Sequence, residues 1–107
     1  MFQQKPEGQG DVYKPVVDLA TMTTKALDTL DGKGKSKNKN GFFLMVEEEG
    51  TDEFAHANNA EKTLESMRQL ERAVAVARSY VATHPDTLLV VTADHETGGL
   101  SVEENDP

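Results

Sequence analysis

The sequence predicts an α/β fold, a βαβ unit with two parallel strands joined by a long helix, plus one helix on its N-terminal side. Three observations predict it. Two short apolar runs, Phe42-Phe43-Leu44-Met45-Val46 and Leu88-Leu89-Val90-Val91, have strand length and are rich in aromatic, aliphatic or β-branched residues. Between them, residues 58–84 repeat apolar positions at intervals of three and four. Strand, helix and strand in that order close as a right-handed crossover, so both strands end on the same side of the sheet. Open α/β sheets carry their chemistry on that side.

Taken in order, residues 1–14 are polar and are interrupted by Pro6, Gly8 and Gly10, which reads as an extended arm. Across 15–31, Leu19, Met22, Ala26, Leu27 and Leu30 fall at helical spacing, with Asp18 as N-cap and Gly32 as stop signal. Residues 32–40 carry four lysines and no apolar side chain, a flexible connector without the spacing of a phosphate-binding loop. The 41–100 segment is the βαβ unit. Its first strand is apolar throughout, as suits a strand covered on both faces. Its helix places Leu64, Met67, Leu70, Val74, Ala77 and Val81 on one stripe, with Asn58 or Asn59 as cap and Pro85 at the exit. Residues 101–107 form an acidic tail.

Composition narrows the function. The 107 residues suffice for one domain at most and are few for a complete two-metal enzyme. Eleven basic against nineteen acidic residues give a net charge of −8, which excludes a protein that works by neutralising nucleic-acid phosphates. An anionic substrate would need a site made positive by bound metal. With no cysteine, metal ligands are restricted to oxygen and imidazole. No segment has the length and apolarity of a membrane span, and the first residues lack the apolar core of a signal peptide. The expectation is a cytosolic protein or an interior piece of something longer.

The polar residues at the strand ends carry the chemistry. Asp94 and His95 follow the second strand as it runs out through Thr92-Ala93, before Gly98-Gly99; adjacent residues reach one metal only where the backbone turns. Asp52 and His56 are four apart, so one helical turn puts them on a common face. Glu47 ends the first strand and offers a hard oxygen ligand of the kind magnesium takes. Each feature has an ordinary alternative. An Asp-His pair also occurs as a surface hydrogen bond or a helix cap, and Glu47-Glu48-Glu49 as a solvated charge run. His84 fits an interaction with a helix C-terminus, and Met22, Met45 and Met67 fit core filling.

Phe42-Phe43-Leu44-Met45-Val46-Glu47, then Asp52, His56-Ala57-Asn58 and Thr92-Ala93-Asp94-His95-Glu96-Thr97-Gly98-Gly99 resemble, in order and spacing, two metal-binding blocks of alkaline phosphatase. The resemblance spans about residues 16–100 and requires five candidate ligands in two blocks to fall correctly. It implies a partial alkaline-phosphatase-like fold and phosphomonoester hydrolysis through two zinc ions, one magnesium ion and a phosphoserine intermediate. By that resemblance Asp52 and His56 bind the zinc that activates water, Asp94 and His95 bind the second zinc, and Glu47 binds magnesium. A small phosphomonoester substrate, a homodimer for the full-length enzyme and a periplasmic or secreted location are implied as well.

The departures are specific. Glu48 and Glu49 stand before Gly50 where the family usually has glycine directly after its magnesium-binding glutamate; counting back from Asp52 favours Glu47 over Glu48. None of Ser36, Ser66, Ser79 or Ser101 lies in the family's Asp-Ser-Ala setting, and the aspartate bridging zinc and magnesium and the last zinc histidine have no counterpart. The expectation is part of an alkaline phosphatase, inactive alone. A related phosphodiesterase or phosphomutase, or a non-catalytic metal-binding or interaction module, are the alternatives.

Overall fold

The computed structural model describes residues 17–32 and 40–97. The extended arm, most of the lysine-rich connector and the acidic tail lie outside them. Three helices make up the described structure: α1 (Leu19–Leu30), α2 (Gly50–His56) and α3 (Ala60–Thr83). Both α1 and α2 pack on α3, which is the longest element and the common support.

Local signals set the helix ends. The Asp18 carboxylate accepts the Thr21 backbone N–H and hydroxyl, both at 2.8 Å, satisfying donors left open at the start of α1. At the other end the Asp31 N–H donates to the Leu27 carbonyl, and Gly32 takes φ 74°, a left-handed value a side chain would oppose. Asn59 caps α3 by accepting the Lys62 N–H at 3.1 Å, and the chain leaves at His84 and Pro85. Between α2 and α3, Asn58 adopts φ 51°, a conformation asparagine tolerates better than most residues, and the Asn59 N–H reaches back to the Phe54 carbonyl.

The α/β expectation is overturned. The regular structure of the described residues is all helical, with no strand or sheet among them, so the parallel βαβ unit is not seen. Residues 41–45 and 87–90 keep an in-out alternation: Phe42, Leu44, Thr87 and Leu89 are partly covered, whereas Phe43, Met45, Leu88 and Val90 are exposed. Composition confers a preference for extended backbone, but a strand exists only where a neighbouring backbone completes its hydrogen bonds, and these two segments do not pair. Covering on both faces is likewise not seen for the first segment, where Phe43 is 87% exposed.

The buried stripe of α3 also differs from the expected one. Ser66, Gln69 and Ala73 are buried, whereas Leu64 and Met67 are exposed. Small side chains let another helix approach closely, so the contact face is chosen by fit as well as by apolarity. On α1 the buried residues are Thr23 and Leu27, one turn apart, with the Thr23 hydroxyl returned to the Leu19 carbonyl at 2.7 Å.

Candidate functional site

Two segments far apart in sequence meet at one carboxylate oxygen. The short helix α2 starts at Gly50, whose N–H donates to the Glu48 side chain, and it displays Asp52 and His56 one turn apart. His56 Nε2 lies 3.5 Å from Asp52 Oδ1. From the other side, the loop after residue 93 brings His95 Nε2 to 3.0 Å from the same oxygen, and the Thr97 hydroxyl donates to it as well. Asp52 Oδ1 is therefore the common acceptor for α2 and the 94–97 loop.

Asp94 organises that loop from its surface. Its Oδ1 accepts the backbone N–H of His95 and lies 3.1 Å from the His95 Nδ1. Both nitrogens of the His95 ring thus face carboxylates, an arrangement satisfied by the doubly protonated imidazolium. Asp52, and after it Asp94, hold the His95 imidazole above its ordinary value. The Thr97 hydroxyl, followed by His95, holds the Asp52 carboxyl below the usual carboxylate range. Asp94 is lowered by its own backbone N–H first and by His95 next.

Exposure grades across the group. The Asp52 side chain is the most covered at 32%, His95 and His56 are at 54% and 68%, and Asp94 is at 89%. Glu47 is exposed and stands outside this hydrogen-bonded group. Its neighbour Glu48 is half-buried, and desolvation pushes its carboxyl up. Of the five residues singled out in the sequence, the structure brings Asp52, His56, Asp94 and His95 together and leaves Glu47 apart. Thr97 was overlooked. Its signal was its position, two residues beyond a metal-competent histidine and just before the glycine pair, but a hydroxyl does not stand out beside carboxylates and imidazoles.

Two imidazoles and two carboxylates are donors of the type zinc takes, so the residues fit such an ion by chemistry. Among the described residues no three such side chains are grouped to enclose one, and both His95 ring nitrogens face carboxylates. Ligation by His95 requires exchanging one of these hydrogen bonds for the metal.

The sequence over residues 7–106 matches the family model described as alkaline phosphatase. Among curated relatives, it is 37% identical over 87 residues to alkaline phosphatase 4 of Bacillus subtilis, covering 81% of this chain and 18% of that protein. It is 37% identical over 92 residues to alkaline phosphatase 3 of the same organism, covering 86% and 19%. With the streptomycin-6-phosphate phosphatase of Streptomyces griseus it shares 40% over 80 residues, covering 73% and 18%. The chain therefore spans about a fifth of the length of these relatives. No solved structure matches it.

Proposed function

The chain belongs to the alkaline phosphatase family, and from that premise we propose that it supplies part of the metal site of a phosphomonoester hydrolase. Asp52 and His56 ligate one zinc, Asp94 and His95 ligate a second, and Glu47 ligates a magnesium ion. What carries the reading is the meeting of Asp52, His56 and His95 at a single carboxylate oxygen, although His95 is 43 residues beyond Asp52. A paired zinc centre supplies the positive charge that holds and polarises a phosphate ester, which a chain of net charge −8 otherwise lacks.

The residues of this chain do the orienting. Helix α2 fixes the separation of Asp52 and His56, and the 94–97 loop carries His95 to the same place. Asp94, the most exposed member, sets the plane of the His95 ring through its Nδ1 contact. No serine in the chain stands in the nucleophile's Asp-Ser-Ala setting, so on this reading the chain contributes metal ligands and does not by itself turn over phosphomonoesters. Among the described residues no helix is long and apolar enough to cross a membrane.

Calorimetric titration of the chain with zinc, beside an assay with a chromogenic phosphomonoester, tests this. Zinc binding that is lost in Asp52→Asn and in His95→Ala, with no turnover above background, is the expected result. Binding that prefers calcium over zinc and survives both substitutions would instead fit a non-catalytic module with oxygen ligands.

A further inference from the structure

Resting on the reading of Asp52 as a zinc ligand, we propose that Thr97 is the positioning residue of that carboxylate, holding Oδ1 by its hydroxyl while the histidines around it turn to metal. Three groups approach Asp52 Oδ1: the rings of His56 and His95, and the hydroxyl of Thr97. The two rings are themselves metal-competent, and a ring that ligates through Nε2 must give up its contact with the Asp52 carboxylate. The threonine hydroxyl has no such competing task, since zinc takes imidazole, thiolate and carboxylate. It is the partner with no ligating role to draw it away from Oδ1.

Placement supports the role. Thr97 is partly covered, while the three residues before it, Asp94, His95 and Glu96, are exposed. Its β-branched side chain has few rotamers, so a hydroxyl aimed at Oδ1 loses little freedom in staying there. It lies two residues beyond His95, so the same backbone turn delivers both the ligand and the group that orients the opposing ligand. The hydroxyl acts on metal through Asp52 and not by contact, and outer contacts of this kind are worth on the order of 10- to 100-fold in metal affinity.

The test is a calorimetric titration of the full chain with zinc alone, comparing the unmodified protein with Thr97→Val, Thr97→Ser and Asp52→Asn. Valine keeps the shape and removes the hydroxyl; serine keeps the hydroxyl. Thr97 lies outside the three helices, so the far-ultraviolet circular dichroism of Thr97→Val is expected to match that of the unmodified chain. The proposal expects zinc affinity to fall by about tenfold in Thr97→Val, to return in Thr97→Ser, and to fall furthest in Asp52→Asn. Unchanged affinity in Thr97→Val beside a loss in Asp52→Asn overturns the positioning role and leaves the ligand reading standing. An equal loss in Thr97→Val and Thr97→Ser assigns the effect to packing and also overturns it. Unchanged affinity in Asp52→Asn, or no zinc binding by the unmodified chain, removes the ligand reading and the proposal with it.

Discussion

His95 Nε2 lies 3.0 Å from Asp52 Oδ1, so the loop after residue 93 is tied to the short helix α2 by a contact between two ionisable groups. The tie depends on pH from both sides. His95 is raised above 6.5, so its contribution is fully present below that value and is lost as pH rises through the raised one. Asp52 is lowered below 3.8, so its contribution is present above that value and is lost as pH falls through the lowered one. In the metal-free chain the contact is therefore strongest between those two ordinary values. Proton NMR of the imidazole resonances checks this: the His95 midpoint lies above 6.5 and moves down in Asp52→Asn. A midpoint at or below 6.5 in the unmodified chain would refute the charged contact.

Zinc uptake should release protons. Both His95 nitrogens face carboxylates, which the doubly protonated ring satisfies, whereas a ligating imidazole needs a free lone pair. At a pH where the ring is protonated, binding must expel about one proton from His95 for each zinc it ligates. Calorimetry in buffers of different ionisation enthalpy reads that number directly, and zinc affinity should climb with pH until His95 is deprotonated. A binding heat that is independent of the buffer would show that His95 is not a ligand.

Helices α1 and α3 and the Asp52–His56 spacing were legible for different reasons. Caps are local, so Asp18, Gly32 and Pro85 could be read from a few residues and fall at the ends of α1 and α3, and of the two candidates Asn58 and Asn59 it is Asn59 that caps α3. The i, i+4 spacing of Asp52 and His56 needed only one turn of helix, which α2 supplies. The strands failed because pairing is not local: Leu88 to Val91 have the right side chains, but nothing in them states which backbone will lie alongside. The α3 face was misread because Leu64 and Met67 are the more apolar residues, while the packed surface selects the smaller Ser66 and Ala73. Thr97 escaped because its role depends on a carboxylate 45 residues away.

The core predicts where stability is concentrated. Leu27 and Ala73 are the buried apolar residues among those described, so little of the apolar content is under cover. Leu27→Ala should cost about 2 kcal/mol, near the lower end for such truncations, because a thinly covered site can close around the gap. Asn59→Ala removes the cap of α3 and should cost about 1 kcal/mol. Thermal unfolding followed by circular dichroism separates them from a surface control such as Glu71→Ala, which is expected to change little. A Leu27→Ala variant that melts with the control would mean that the α1–α3 packing does not hold the described fold together.

The far end of α3 holds a second joint, which does not involve the candidate metal ligands. The Tyr80 and His84 rings are stacked at 3.8 Å and 5°, Phe42 meets Tyr80 edge-on at 6.0 Å, and the Tyr80 hydroxyl donates to Asp31 Oδ1 at 3.2 Å. Stacking and edge contact survive in Tyr80→Phe, which loses only the bond to a carboxylate that water can reach, so it should cost about 1 kcal/mol or less. Tyr80→Ala also loses the ring and should cost about 3 kcal/mol. Desolvation, and then the Asp31 charge, raise the Tyr80 phenol above 10.0, so its share of stability is full below that value and is lost as pH rises through the raised one. The sequence has two tyrosines, and Tyr13→Phe leaves Tyr80 as the only phenol for an ultraviolet titration. A midpoint above 10.0 that drops in Asp31→Asn supports the joint; equal costs for Tyr80→Phe and Tyr80→Ala would assign the joint to the hydroxyl alone and refute the stacked arrangement as its source of stability.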